Sequence, residues 1–341
     1  MHNNEIVPQD SRARVVVVLV TYNAARYVRQ CLEHLVSQTY RDFSVLVIDN
    51  GSTDDTIAVV EKELPSTRII QRRDNLGFSR AYNHGITWAR GAEYVLCLNQ
   101  DAFLEPDYIN QLLAFADNHP KVASCSGTLM RYDADADEGT KVIDSLGLSM
   151  RRTHRVFNIA EATINDHQQS QPVEVFGVPA TAALYRRSSL EEVALRRQER
   201  VEYFDEDFFA YKEDIDLAWR LRLGGFKSFL IPAAVAYHVR GVRRRKIYQR
   251  SNRRPLVKQL SYRNNILANI ANQTMVNIIL LAPWWLAFEI GKAIYVFVAE
   301  PSTFWKGWAG VLHLLGRTLT KRRQIQRARK INSKQLRLWF S

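Results

Sequence analysis

Cysteine is scarce in this chain: Cys31, Cys97 and Cys125 are the three among 341 residues, unevenly spaced and without a C-x-x-C pair. Neither a disulfide framework nor a cysteine zinc site is indicated, and a reducing compartment fits. No G-x-G-x-x-G follows the first apolar run, where Thr21-Tyr22-Asn23 stands instead, which argues against a dinucleotide-binding dehydrogenase. The opening residues 1–14 are polar and read as a loose leader, and the apolar run 15–20 is short enough for a buried strand, so no secretory signal is expected. No internal repeat is visible. Acids nearly vanish late in the chain. Residues 240–341 hold 21 Lys and Arg against Glu289 and Glu300 alone, whereas residues 1–239 hold 26 bases and 33 acids. A basic tail on an acidic body points to a polyanionic surface, anionic lipid or nucleic acid. Nucleic acid is not expected, because the tail carries no recognisable module and its Trp residues sit in an apolar run.

What is present is ordinary globular composition, 46% hydrophobic and 24% charged, which excludes disordered, collagen-like and coiled-coil classes. The length allows about two domains. Segments 15–20, 43–48, 68–71, 93–98 and 122–126 read as strands. Between them, helical spacing recurs after Asn23 as N-cap, from Ser52 or Thr53 to about residue 64, over 78–89 and over 107–118. Repeated βα units predict an α/β fold with a mostly parallel sheet and helices on both faces. Residues 131–172 lose the rhythm and read as an irregular insertion. Order returns with an apolar segment at 173–185 and helices near 188–195 and 214–223. Short strands are expected at 227–231 and 235–239.

The tail opens with a basic run at 243–246 and closes with a basic block at 321–330. Between them, 275–298 admits three readings: an in-plane interfacial helix with Trp284-Trp285 at headgroup depth, a transmembrane span, or a buried helix or oligomer contact. Glu289 and Lys292, at i and i+3, could pair. The basic flanks favour the in-plane helix on anionic lipid.

Four polar clusters follow strands, where open α/β sheets bind ligands. They are Thr21-Tyr22-Asn23, the stretch 49–55 (DNGSTDD), Asn99-Gln100-Asp101, and Glu213-Asp214-Ile215-Asp216. Each has a plain structural explanation. Asn-Gly favours a tight turn, and acids favour helix N-termini. Yet Asp49 could accept from a base or ribose, and one carboxylate with diphosphate oxygens is a usual way to hold Mg²⁺. Three carboxylates in four residues, behind Asp205, Glu206 and Asp207, exceed a cap's needs and could supply a general base. His238 matters if it faces Asp101.

Together the motifs VVVVLVTYN (15–23), VLVIDNGSTDDT (45–56), RDNLGFSRAYNHGI (73–86), YVLCLNQDAFLEPDY (94–108), VPATAALYRRSSLEEV (178–193) and FDEDFFAYKEDIDLAWRLRLGGF (204–226) resemble family 2 glycosyltransferases of GT-A fold, most like bacterial rhamnosyltransferases. The resemblance covers about residues 15–240 as a GT-A catalytic domain, leaving 241–341 as a basic, amphipathic, membrane-associating helical region. It implies inverting transfer from a nucleotide-sugar, such as dTDP-rhamnose or a UDP-sugar, to a glycan or polyprenyl-linked acceptor. The enzyme would serve cell-surface polysaccharide synthesis at the cytoplasmic face of the plasma membrane. Thr21, Tyr22, Asn23, Asp49, Asn50, Ser52, Asp54, Asn75, Gly77, Phe78, Asn83, Asn99 and Gln100 would form the donor pocket. Asp101 and His238 would hold Mg²⁺ or Mn²⁺, and Asp214, with Glu213 and Asp216 beside it, would act on the acceptor hydroxyl. Asn99 stands where the family's metal motif carries its first aspartate, and Gln100 where relatives often have proline. An inactive GT-A domain docking on membrane is the alternative from another class.

Overall fold

A computed structural model describes residues 13–165, 170–198, 200–239 and 254–340. The basic run 243–246 and most of the leader lie outside them. The first half alternates strand and helix: β1 (Val15–Thr21), α1 (Val28–Val36), β2 (Phe43–Asp49), α2 (Thr56–Glu63), β3 (Arg68–Gln71), α3 (Phe78–Trp88) and β4 (Tyr94–Asn99). Then come β5 (Ala102–Leu104), α4 (Tyr108–Asp117), β6 (Val122–Asp133), β7 (Glu138–Ser145), β8 (Leu148–Met150) and β9 (Val156–Asn158). The body closes with β10 (Val173–Val175), β11 (Ala182–Arg186), α5 (Arg187–Val193), β12 (Leu195–Arg197), β13 (Arg200–Glu202), α6 (Glu213–Leu223) and β14 (Lys227–His238). Five helices follow: α7 (Pro255–Asn272), α8 (Met275–Leu280), α9 (Ala282–Ala299), α10 (Pro301–Ala328) and α11 (Ser333–Arg337).

The main sheet runs β10-β14-β6-β11-β4-β1-β2-β3. The expected parallel pairing holds across β4, β1, β2 and β3. β11 enters antiparallel between β4 and β6, so the sheet as a whole is mixed. The continuous apolar run of β1 is explained by burial on both faces. Val15, Val17 and Leu19 join a core with α1 and α4, while Val16 and Val18 join one with α3 and Leu217 of α6. In α1, Val28, Cys31, Leu32 and Leu35 are the buried stripe at helical spacing.

Several local expectations are corrected. Asn23 is no N-cap: α1 starts five residues later, and Asn23 adopts a left-handed φ of 48°. Neither Ser52 nor Thr53 caps α2, which begins at Thr56 behind Asp55. Their side chains are engaged in the site instead. The supposed irregular insertion holds the end of β6, its hairpin partner β7, and the β8–β9 ribbon. β7 is exposed where it starts at Glu138 and buried where it ends at Asp144 and Ser145, so its polar residues serve both solvent and site. The two short strands expected near 227–239 are one strand, β14, with a register shift between Ile231 and Val235.

Among the described residues, no helix is long and apolar enough to cross a membrane. Nor is α9 a buried helix, since Val296 is its one buried residue. Glu289 and Lys292 pair as expected.

Candidate active site

The parallel register sets the donor side. Thr21 pairs with Asp49 across β1 and β2, and Val20 pairs with Asn99 across β1 and β4, so three polar strand ends lie side by side. Asp49 is fully buried and accepts from Thr21 Oγ1 and from the Ser52 amide, each at 3.0 Å, and from the Ser52 hydroxyl. Asn23 Oδ1 accepts from the Thr53 amide at 2.9 Å, and Asp54 accepts from the amides of Ala25 and Thr56, both at 3.1 Å. The turn after β2 is therefore sewn to the loop after β1. Gln100 binds the Tyr22 backbone in both directions, at 2.6 and 3.3 Å, and leaves the Tyr22 ring exposed at the rim.

Asn50 donates to Asn75 Oδ1 and accepts from the Leu76 amide, both at 2.9 Å. Gly77 needs its φ of 82°, and a Cβ there would lie 2.6 Å from the carbonyl oxygen of Phe209. Phe78 packs at a tilt against Tyr82, whose hydroxyl donates to the Leu98 carbonyl and Asn99 Oδ1. Asn83 is buried and clamps residues 203 and 204 to α3 through three hydrogen bonds. It shapes the site through that loop.

The acidic side is built differently. β5 pairs antiparallel with the end of β14, bringing His238 opposite Ala102 and so beside Asp101. His238 Nε2 lies 3.5 Å from Asp101 Oδ1, and its Nδ1 lies 2.9 Å from Asp144 Oδ2 on β7. Burial disfavours the imidazolium, but the two carboxylates outweigh it and raise His238 to about 9. With its proton displaced by the cation, His238 would offer an imidazole nitrogen beside the Asp101 carboxylate oxygen, a donor pair suited to a divalent cation such as Mn²⁺. Among the described residues, no group of three His, Cys, Asp or Glu is arranged to hold an ion. Diphosphate oxygens would have to complete the coordination.

Asp101, His238, Glu213 and Asp214 all line one cavity of about 880 Å³. Burial, then the Asp214 charge, pushes Glu213 up to about 8. Burial and the neighbouring charge thus favour the protonated form of Glu213. Asp216 is a correction. Two residues along a helix point to opposite sides. Asp216 is fully buried away from the cavity, accepting from Arg220 Nε at 2.8 Å and Asn272 Nδ2 at 2.7 Å.

Sequence reasoning missed what holds the acidic loop. Phe209, Tyr211 and Lys212 have φ values of 64°, 71° and 77°, just before Glu213. Such left-handed non-glycine residues store strain and must be held by their surroundings. From α7, the Asn264 amide donates to the carbonyls of Phe208, Ala210 and Tyr211 at 2.8–2.9 Å. Arg263 donates to that of Asp207 at 2.8 Å. From α10, Lys321 pairs with Asp205 and Asp207. On the donor side, the Ser79 amide donates to the Phe209 carbonyl at 3.2 Å. One loop thus joins donor pocket, acidic helix and C-terminal helices.

The sequence profile of Glycosyl transferase family 2 matches residues 16–194. The chain belongs to glycosyltransferase family 2. This glycosyltransferase is 30% identical to an N-acetylglucosaminyl-diphospho-decaprenol L-rhamnosyltransferase of Mycobacterium tuberculosis, over 65% of this chain and 75% of that one. Its fold is similar to that of GalNAc-T7 solved with UDP, GalNAc and Mn²⁺, with a TM-score of 0.57 at 11% identity over 75% of this chain. The match spans about half of that longer protein, 47%. It is also similar to the mannosyltransferase PcManGT of Pyrobaculum calidifontis solved with GDP-Man and Mn²⁺. There the TM-score is 0.51 at 17% identity, over 92% of this chain and 78% of the other. The expected GT-A fold, family and sugar-transferring activity are borne out.

Proposed function

We propose that this glycosyltransferase moves L-rhamnose from dTDP-rhamnose to a hydroxyl of a polyprenyl-diphosphate-linked glycan, with inversion, during assembly of a cell-surface polysaccharide. The observation that carries the reading is the single cavity on which Asp101, His238 and Asp214 converge. The sugar and acceptor classes are suggested by the mycobacterial relative's name. Asp214 takes the proton of the acceptor hydroxyl, which is a poor nucleophile without a positioned base. Burial and the Asp214 charge favour a protonated Glu213, and Asp214 is taken as the base. Attack from the face opposite the diphosphate inverts the anomeric carbon. Asp101 and His238 would hold a divalent cation, which when bound offsets the charge developing on the leaving diphosphate.

The same reading places the enzyme on the cytoplasmic face of the membrane. Met275, Ile279, Trp284, Ile294 and Trp305 are exposed on α8, α9 and α10. An apolar face of this kind with basic flanks suits an anionic bilayer surface. Flotation with phosphatidylglycerol vesicles, and none with phosphatidylcholine vesicles, is the expected result.

Calorimetric titration with dTDP, UDP and GDP, with and without Mn²⁺, tests the donor. Metal-dependent preference for dTDP supports rhamnosyl transfer. Preference for UDP moves the donor to a UDP-sugar. Binding of none of them to folded protein overturns the donor-pocket assignment.

A further inference from the structure

The cavity holding Asp101 and Asp214 does not end at the catalytic body. Its wall includes Tyr262 and Ser261 of α7 and Phe288 and Lys292 of α9. Beyond it lies a second, apolar groove of about 360 Å³, a size typical of small-ligand clefts. Ile266, Ile270, Trp285, Leu286 and Ile290 line it.

Three features mark the two spaces as neighbours. Tyr262 lines both. His154 lines the groove and the adjacent Arg155 lines the cavity. Glu289 lines the groove, and its ion-pair partner Lys292 lines the cavity. Two cations, one of them offset by Glu289, therefore stand where polar space gives way to apolar space. Of the cavity's other charged residues, Glu161 and Lys212 are of opposite sign, and Asp101, Glu213, Asp214 and His238 belong to the reacting end.

We infer that this groove is the seat of the acceptor's hydrocarbon chain. The occupant is an amphiphile in three parts. Its sugar hydroxyl reaches Asp214, its anionic phosphate linker passes Arg155 and Lys292, and its first isoprene units lie along Ile266, Ile270, Leu286 and Ile290. Charge complementarity selects an anionic linker at that boundary, and apolar burial selects a hydrocarbon beyond it. The groove shares α9 with the exposed apolar residues Trp284, Ile294 and Val298, so the rest of a long chain could continue into a bilayer. The inference rests on reading the cavity as the acceptor side of a sugar transferase, and it adds the residues that would select a lipid acceptor.

The test is binding of farnesyl diphosphate, farnesol and inorganic diphosphate to the full chain, followed by tryptophan fluorescence. Divalent ions are left out, so that Asp101 does not capture the diphosphate. Farnesyl diphosphate should bind more tightly than either fragment. Leu286→Gln and Ile290→Gln change half-exposed positions outside the buried core. Each should weaken farnesyl diphosphate and farnesol about tenfold and leave inorganic diphosphate unchanged. Arg155→Ala should weaken farnesyl diphosphate and spare farnesol. Farnesyl diphosphate binding no better than inorganic diphosphate, or unchanged by both Gln variants, would overturn the inference. Nucleotide titration of the same samples separates the two readings. Nucleotide binding without farnesyl binding removes the lipid seat alone, and the converse removes the donor pocket alone.

Discussion

His238 is held by Asp144: its Nδ1 lies 2.9 Å from Asp144 Oδ2, while its Nε2 faces Asp101 at 3.5 Å. A carboxylate behind a histidine fixes which nitrogen faces the site and how the ring is turned. Asp144 sits on β7, in the stretch that the polar sequence disguised as an insertion, and it is almost wholly buried. Asp144→Asn should raise the Mn²⁺ concentration needed for nucleotide binding by about 10–100-fold. Nucleotide binding without metal should be unchanged. Calorimetry at graded Mn²⁺ reads the difference, and equal metal dependence in both proteins would make Asp144 a fold residue only.

Asp214 and Asp216 should separate cleanly. Asp214→Asn removes the proposed base and should lower transfer by roughly 10²–10⁴-fold, with nucleotide affinity retained. Asp216→Ala leaves Arg220 buried without its charged partner, on the Val193 and Tyr203 carbonyls alone, and should cost about 3–5 kcal/mol of stability. A urea melt together with a transfer assay distinguishes them. An Asp214→Asn protein with normal turnover would remove it from the reaction.

The donor side was largely legible before the structure, because strand ends announce themselves. Apolar runs such as 15–20 and 43–48 stop abruptly at Thr21 and Asp49, and parallel pairing aligns those ends. The acidic side was legible in its residues and not in their support. Asp214 and Asp216 look equivalent in sequence, and only the helix turns them apart. Asn264 and Lys321 lie 53 and 116 residues from loop groups they bind, Tyr211 and Asp205, in segments whose composition reads as solvated or membrane-facing. Long-range polar contacts of this kind leave no periodicity to read.

Asn264 gives the loop before α6 three of its external hydrogen bonds. Asn264→Ala should remove hydrogen bonds to three loop carbonyls, of which that of Phe208 keeps Arg263 and the Ala210 amide as donors, and cost about 1–3 kcal/mol. It should also relax the left-handed residues that precede Glu213. Transfer should then fall through kcat, with little change in nucleotide affinity. A melting curve and a kcat against KM comparison check this. A variant that loses stability and keeps full kcat would show that the loop positions no reacting group.

His154 should make stability fall on mild acidification. Its ring stacks on Trp285 at 5.8 Å, and its buried Nε2 has no hydrogen-bond partner among the described residues. Burial lowers it from 6.5 to about 4. Between those values the unfolded chain holds a proton that the folded one rejects, so stability is present above about pH 6.5 and is lost as pH falls toward 4. From about pH 7 to about pH 5 this group should account for a loss of about 2 kcal/mol. His154→Asn keeps a residue that tolerates the left-handed φ of 57° and removes the titration. Urea unfolding at the two pH values should show a shallower loss in the variant. The same slope in both proteins would assign the acid sensitivity elsewhere. Because the folded protein keeps His154 neutral across that window, farnesol affinity for the apolar groove it lines should stay flat while stability falls.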